Sequence, residues 1–255
     1  MDQTIKRLTI FSILLVAYFL SALFIQISPL SGWSAHTTIT HSLVQSIATV
    51  IALFCGIAAL YRFNVGGKTS SMLLFIGVGF LGTAFIDTYH TIVTASWVKV
   101  AFPKIPPSVA EWSWLSTRIF LSMLLLMSLP SLFREKTATI NPKLIYISVS
   151  ILTFLNLIVF LFIRTEYPIY PDDFFCRPLE LIPGVFFLIA LIGYLIQGMW
   201  KTSKLEYWIV MFLITSIASQ FFFIDFSKHP HDTMYISAHI LKIISYAMIY
   251  IAVSD

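Results

Sequence analysis

The sequence predicts an all-α integral membrane protein, a bundle of about eight transmembrane helices with both termini on the cytoplasmic side. Three observations predict it. First, the 255 residues are 58% hydrophobic, 16% aromatic and only 11% charged. A soluble domain carries roughly 25% charged residues, so this chain has too little polar surface to face water. Second, the mean hydropathy is +0.88, which excludes disorder, because disorder requires low hydrophobicity and high net charge. Third, the apolar residues form continuous runs of about 20, the length a helix needs to cross a bilayer. Barrel strands would alternate apolar and polar residues instead.

The runs are Leu8–Ile25, Val44–Leu60, Ser71–Val93, Trp112–Phe133, Leu144–Ile163, Leu181–Trp200, Tyr207–Ile224 and Met234–Val253. They leave no room for a soluble domain, so residues 1–255 read as a single transmembrane domain. Lys6 and Arg7 resemble the charged start of a signal peptide. The apolar run behind them has 18 residues and no small-x-small cleavage site follows, so it reads as a span.

Orientation follows from the lysines and arginines of the short loops. With the N-terminus inside, the inner segments hold nine: Lys6, Arg7, Arg62, Lys68, Arg134, Lys136, Lys143, Lys201 and Lys204. The outer loops hold five: Lys99, Lys104, Arg164, Arg177 and Lys228. Glu111, Glu166, Asp172, Asp173, Glu180, Asp225 and Asp232 make those outer loops net acidic. The pI of 9.0 is therefore mainly a topology signal. Nucleic-acid binding would need a basic stripe with stacking aromatics on an accessible face, and there is none. The place of the protein is the plasma (inner) membrane, as a multi-pass chain. Cys55 lies in a span and Cys176 in a loop, an arrangement that argues against a disulfide between them. No internal repeat is evident, which weakens a transporter reading.

An ionisable residue inside a span is costly and marks a candidate site. Asp87, His90, Arg118 and Lys242 qualify, with His41 and His239 at span ends. On the predicted topology all of them fall in the outer half of the bundle, and the inner half is apolar. Asp87 and His90 are three apart and share a helix face, as do His239 and Lys242. Trp114 and Arg118 are four apart, so the indole can pack on the guanidinium. Asp87 can neutralise Arg118 or Lys242. Two readings stand: a salt-bridge network that locks helices, or a polar site for a ligand, metal or cofactor. Arg118 and Lys242 suit an anionic group such as a carboxylate or a haem propionate. His90 and His239, completed by His41, suit a transition metal or bis-histidine haem. Glu180 is a second-tier ligand residue.

His36, His229 and His231 read as outer-loop residues, the last two solvated, and Cys176 as inert. Phe174, Phe175 and Phe221–Phe223 would surround the site or form an interfacial belt. Gly77, Gly79 and Gly82 spell G-x-G-x-x-G, but inside a span, where a dinucleotide fingerprint has no strand before it. Those glycines instead permit close helix contact. No paired-histidine motif, nucleophile elbow, P-loop or kinase signature occurs. An integral-membrane metal enzyme and a small-solute or proton transporter are the alternatives. The first lacks clustered motifs, and the second would need polar residues through the whole membrane thickness.

With these residues in place, a resemblance to a known family emerges. Phe80–Thr91, FLGTAFIDTYHT, Trp114-Leu-Ser-Thr-Arg118 and Ala238-His-Ile-Leu-Lys242 followed by IISYAMIY occur in order. They resemble the third type of membrane-associated sensor domain, in the MASE series, over nearly the whole chain. Ala238 stands where glycine is expected, and Gln45 where an acidic residue is expected. The resemblance implies a non-enzymatic signal-input domain ahead of a cytoplasmic PAS, histidine-kinase or diguanylate-cyclase output, hence two-component or cyclic di-GMP signalling and a homodimer. It names no ligand. The expected partners are the bilayer, an extracytoplasmic small ligand or metal, and that output. The close of the chain at Ile251–Asp255 fits an output domain that has been removed.

Overall fold

The computed structural model describes residues 3–32, 38–66, 70–102, 106, 108–129, 141–162 and 165–254. His36 and the basic residues Lys68, Lys104, Arg134, Lys136 and Arg164 lie outside the described residues. The helices are α1 (Gln3–Ile27), α2 (Thr38–Val65), α3 (Ser71–Thr94), α4 (Ser96–Ala101), α5 (Ser108–Met127), α6 (Pro142–Phe162), α7 (Leu181–Gln197), α8 (Lys204–Ala218) and α9 (Thr233–Ser254). There is no strand among the described residues. The short α4 lies in what the sequence presents as a loop.

Among the described residues, seven segments are long and apolar enough to cross a membrane: α1, α2, α3, α6, α7, α8 with its extension to Phe226, and α9. The remaining expected span is α5. Its first half carries Glu111, Ser113, Thr117 and Arg118, which lower its hydropathy. All four are buried against protein, so these polar side chains are not exposed to lipid. The protein is a multi-pass helical membrane protein.

Six helices close a ring: α2 packs on α3, α3 on α5, α5 on α7, α7 on α8, α8 on α9, and α9 back on α2. Two helices stand outside it, α1 against α8 and α6 against α3. Burial follows this order. In its most apolar stretch α3 is 78% buried and α8 83%, against 11% for α1 and 17% for α6. The outer pair presents apolar side chains outward, as lipid contact requires. Few polar contacts fix α1. Tyr18 pairs with Thr215 of α8 at 3.1 Å, Arg7 donates to the Trp200 carbonyl, and Phe11 stacks on Tyr207 with centroids 5.5 Å apart.

Local signals set the helix ends. Ser203 caps α8 by accepting from the Glu206 amide at 3.3 Å, and Gly198 ends α7 in the left-handed region at φ 72°. Asp232 caps α9: its Oδ1 accepts from the Tyr235 amide at 2.7 Å. Its Oδ2 accepts from the Lys228 and His229 amides at 2.8 and 3.1 Å. One carboxylate thus starts α9 and folds the loop before it. The last turn of α8 widens into a π-helix at Ser219–Phe223, a form that recurs at functional sites. Cys55 and Cys176 are both buried and free.

Glycines decide how closely the ring helices approach. A Cβ on Gly56 would stand 2.8 Å from the Leu81 backbone nitrogen. On Gly82 it would stand 2.4 Å from the Phe120 ring and 2.7 Å from Thr153 Oγ1. Gly77 meets Leu60, and Gly79 meets Leu124 at a looser 3.2 Å. The G-x-G-x-x-G run is a packing surface, as small residues are in membranes. Helix propensity favours alanine over glycine by about 1 kcal/mol, whereas overpacking costs about 1–3 kcal/mol. Gly56→Ala should therefore lower the thermal unfolding temperature in detergent, and Gly79→Ala should leave it unchanged or raise it slightly.

Candidate functional site

The ring encloses polar residues from several helices at the end where α3 finishes and α9 begins. α2 contributes His41 and Gln45, four apart on one face. α3 contributes Asp87 and His90, and α5 contributes Ser113, Trp114 and Arg118. α9 contributes a stripe of Tyr235, His239, Lys242 and Tyr246. None of these is more than 4% exposed. Burial of so many polar groups away from water demands partners for each.

The histidines form the first layer. Ring nitrogens of His41, His90 and His239 all lie within 4.8 Å of one another. His41 Nε2 stands 3.2 Å from His239 Nε2. His239 Nδ1 lies 2.9 Å from the Tyr235 carbonyl one turn back, so Nδ1 carries the proton and donates it. His90 Nδ1 lies 2.8 Å from Ser113 Oγ, and that hydroxyl donates to the Ala110 carbonyl at 2.9 Å. With its proton so used, Ser113 accepts from His90 Nδ1–H. Both rings therefore present an unprotonated Nε2 to the interior. His90 Nε2 has no hydrogen-bond partner among the described residues. Trp114 stacks on His239 with centroids 4.0 Å apart.

The second layer is an ion pair. Lys242 Nζ lies 2.7 Å from Asp87 Oδ1, both side chains fully buried. It also donates to Gln45 Oε1 at 3.3 Å, so the amide at position 45 does serve the site as an acceptor. The ammonium stands over Trp114 at 4.8 Å and Tyr246 at 5.6 Å, a cation–π arrangement. Of the two cations that Asp87 could have neutralised, it takes Lys242. Lys242 is consequently committed inside the protein.

Arg118 is the third element. Its guanidinium stands 5.8 Å from the Trp114 centroid and 5.0 Å from that of Phe187 on α7. The Tyr246 hydroxyl lies beside it, yet Nε, Nη1 and Nη2 complete no hydrogen bond among the described residues. A fully buried guanidinium whose N–H groups complete no bond among the described residues is placed to donate to an anion.

Glu180 sits in an adjoining cluster. It accepts from the Tyr167 hydroxyl at 3.0 Å and from Gln220 Nε2, on the π-helix, at 3.1 Å. Beside it Arg177 pairs with Glu111 at 2.6 Å and donates to the Ser227 carbonyl at 3.1 Å. Burial works against the Arg177 charge, but the Glu111 carboxylate more than offsets it and holds the guanidinium protonated. Asp225 is buried, and neither carboxylate oxygen is bonded among the described residues. Its carbonyl accepts from the Cys176 amide at 2.8 Å, which straps the 165–180 loop to the end of α8.

Other expectations need correction. His231 is not simply solvated. At φ 69° it turns its half-buried ring against His41, with centroids 5.1 Å apart. His229 is exposed, as expected. Phe174 is 75% exposed and packs with Phe175 and Phe226 on the outside, so it does not line the histidine layer. Sequence reasoning missed Ser113, Tyr235 and Tyr246. For Tyr235 the signal was its place one turn before His239, where its carbonyl meets the ring.

The partnered and unpartnered cations should behave oppositely on removal. Lys242→Met leaves Asp87 charged and alone in the interior, which costs about 3–5 kcal/mol. Arg118→Met removes a charge that, among the described residues, rests on the Trp114 and Phe187 rings without a carboxylate partner, so it should leave stability unchanged or raise it. Thermal unfolding of both variants in detergent reads the difference.

A family model described as a membrane-associated sensor domain, MASE3, matches residues 32–255. The comparison with curated proteins finds no match, and neither does that with solved structures. The match takes in all six ring helices and every residue of the buried layers, and the chain belongs to the MASE3 family of membrane-associated sensor domains.

Proposed function

We propose that the buried layers are the sensory centre, and that α9 conveys their state across the membrane. The observation that carries this reading is the position of His239 and Lys242, three apart on α9. Through them one helix is tied to α2 by His41 and Gln45, to α3 by Asp87, and to α5 by Trp114. Ser219 of the π-helix adds a bond to the Ala238 carbonyl at 3.0 Å. A ligand that favours one arrangement of these partners over another shifts α9, and only such differential binding transmits a signal.

On this reading the histidine end faces outward, in keeping with the excess of lysine and arginine at the other end. The ligand arrives from outside the cytoplasm, and α9 leads toward a cytoplasmic output of histidine-kinase or diguanylate-cyclase type, in a homodimer. The domain itself catalyses nothing.

A second ligand reading rests on Arg118. Its unbonded N–H groups, between Trp114 and Phe187, suit a small carboxylate-bearing ligand. Asp87 and Lys242 would then act as the frame of that site, and Glu180 as its flank.

The test joins α9 in frame to a cyclase output and measures product in membranes. His239→Ala and Lys242→Met should fix the output at one level while the protein remains inserted. Stimulus-dependent output at the unmodified level in both variants would overturn the reading.

A further inference from the structure

We infer that His41, His90 and His239 bind a divalent transition ion of the zinc–copper class. The inference rests on the sensory reading of this centre and names its ligand. The first argument is distance. Two nitrogens on one tetrahedral ion, each bonded at about 2.0–2.1 Å, sit roughly 3.3 Å apart. His41 and His239 already stand at 3.2 Å through their Nε2 atoms, and all three rings offer a nitrogen within 4.8 Å of the others.

The second argument is proton inventory. His90 and His239 spend their only N–H outward, on Ser113 Oγ and the Tyr235 carbonyl. Each therefore aims a bare lone pair at the space between the rings. One proton on His41 Nε2 can satisfy the His239 lone pair, but the buried His90 Nε2 has no partner among the described residues, which is unfavourable. A cation satisfies both at once. An outward Nδ1–H bonded to a carbonyl or hydroxyl is also the arrangement that fixes ligating histidines on metals.

The third argument is donor chemistry. Three neutral imidazoles with no carboxylate among them suit zinc or copper, and not calcium or magnesium, which take oxygen ligands. Nearby Lys242 does not oppose the ion, because Asp87 neutralises it at 2.7 Å. A macrocycle fits poorly. His41 and His239 stand at 3.2 Å through their Nε2 atoms, too close for a porphyrin to lie between them, and Trp114 stacks on the His239 ring at 4.0 Å. The set is thus a three-histidine site with the fourth position left to solvent or an anion. The half-buried His231 ring packs against His41 beside the set.

The test uses the whole chain in detergent, freed of affinity tags and stripped with a chelator. Zinc titration followed by metal analysis should give one ion per chain. Cobalt, added alone as a probe, should give the intense visible bands of a tetrahedral ion. His90→Ala and His239→Ala should each weaken zinc binding at least 100-fold. Ser113→Ala, which leaves every ligand and all helix packing in place, should weaken it about 10-fold by freeing the His90 ring. Absence of zinc binding by the unmodified chain would overturn the inference, and so would binding that all three substitutions leave intact. The sensory reading fails separately. If zinc binds as described but cyclase output ignores His239→Ala, the metal site stands and the sensor does not. If zinc does not bind but the output is locked, the reverse holds.

Discussion

The bond between Lys242 and Asp87 is the constraint on which the rest of the structure depends. A lysine and an aspartate with no exposed surface cannot stay charged in a bilayer-embedded bundle unless they meet. Their 2.7 Å contact obliges α9 and α3 to face each other across the ring, although their backbones are not neighbours in it. Gln45 extends the pair to α2, and Trp114 covers its cation from α5. Four helices are thus registered by one charge pair, and the imidazole layer forms directly above it, since His90 and His239 each lie three residues from a member of the pair.

Stability and sensitivity come from different parts of this arrangement. The ring closes through small-residue approaches such as Gly56 on Leu81 and Gly82 on Phe120, which need no ions. The polar layers set the register of the helices across the ring, and they are costly to keep buried. Groups left unbonded among the described residues, above all those of Arg118, His90 Nε2 and Asp225, concentrate at the histidine end. A protein that only needed a stable bundle would have apolar residues there. Their retention, together with the π-helix bonded to the turn of α9 that precedes His239, fits a centre that gains bonds when a ligand arrives.

Much of this was legible in the sequence, because membrane insertion makes polar residues conspicuous. Continuous apolar runs located the helices, and the spacing of Asp87 with His90 and of His239 with Lys242 placed the site residues on shared faces. Even the misleading glycine run was readable as a packing surface once its position inside a span was known. What could not be read was partnership. Nothing in the spacing says that Lys242 takes Asp87 while Arg118 pairs with no carboxylate among the described residues. Ser113 is one serine among many until its hydroxyl is seen to hold His90. His231 resembled a solvated loop residue because its position depends on Asp232 folding the loop back over His41, a tertiary effect. α5 is the reverse case. Its low apolarity followed from polar side chains that turn into the ring, and the site residues themselves explain it.

The most direct measurement of the central claim, that the centre sets the position of α9, is an interspin distance. Labels at Leu144 on α6 and Tyr250 on α9 are both exposed and lie at the end away from the histidines. The distance distribution between them would be recorded in lipid nanodiscs for the metal-stripped chain, the zinc-loaded chain and Lys242→Met. The account predicts that zinc shifts the distribution and that Lys242→Met displaces or broadens it. One distribution shared by all three samples would contradict the account.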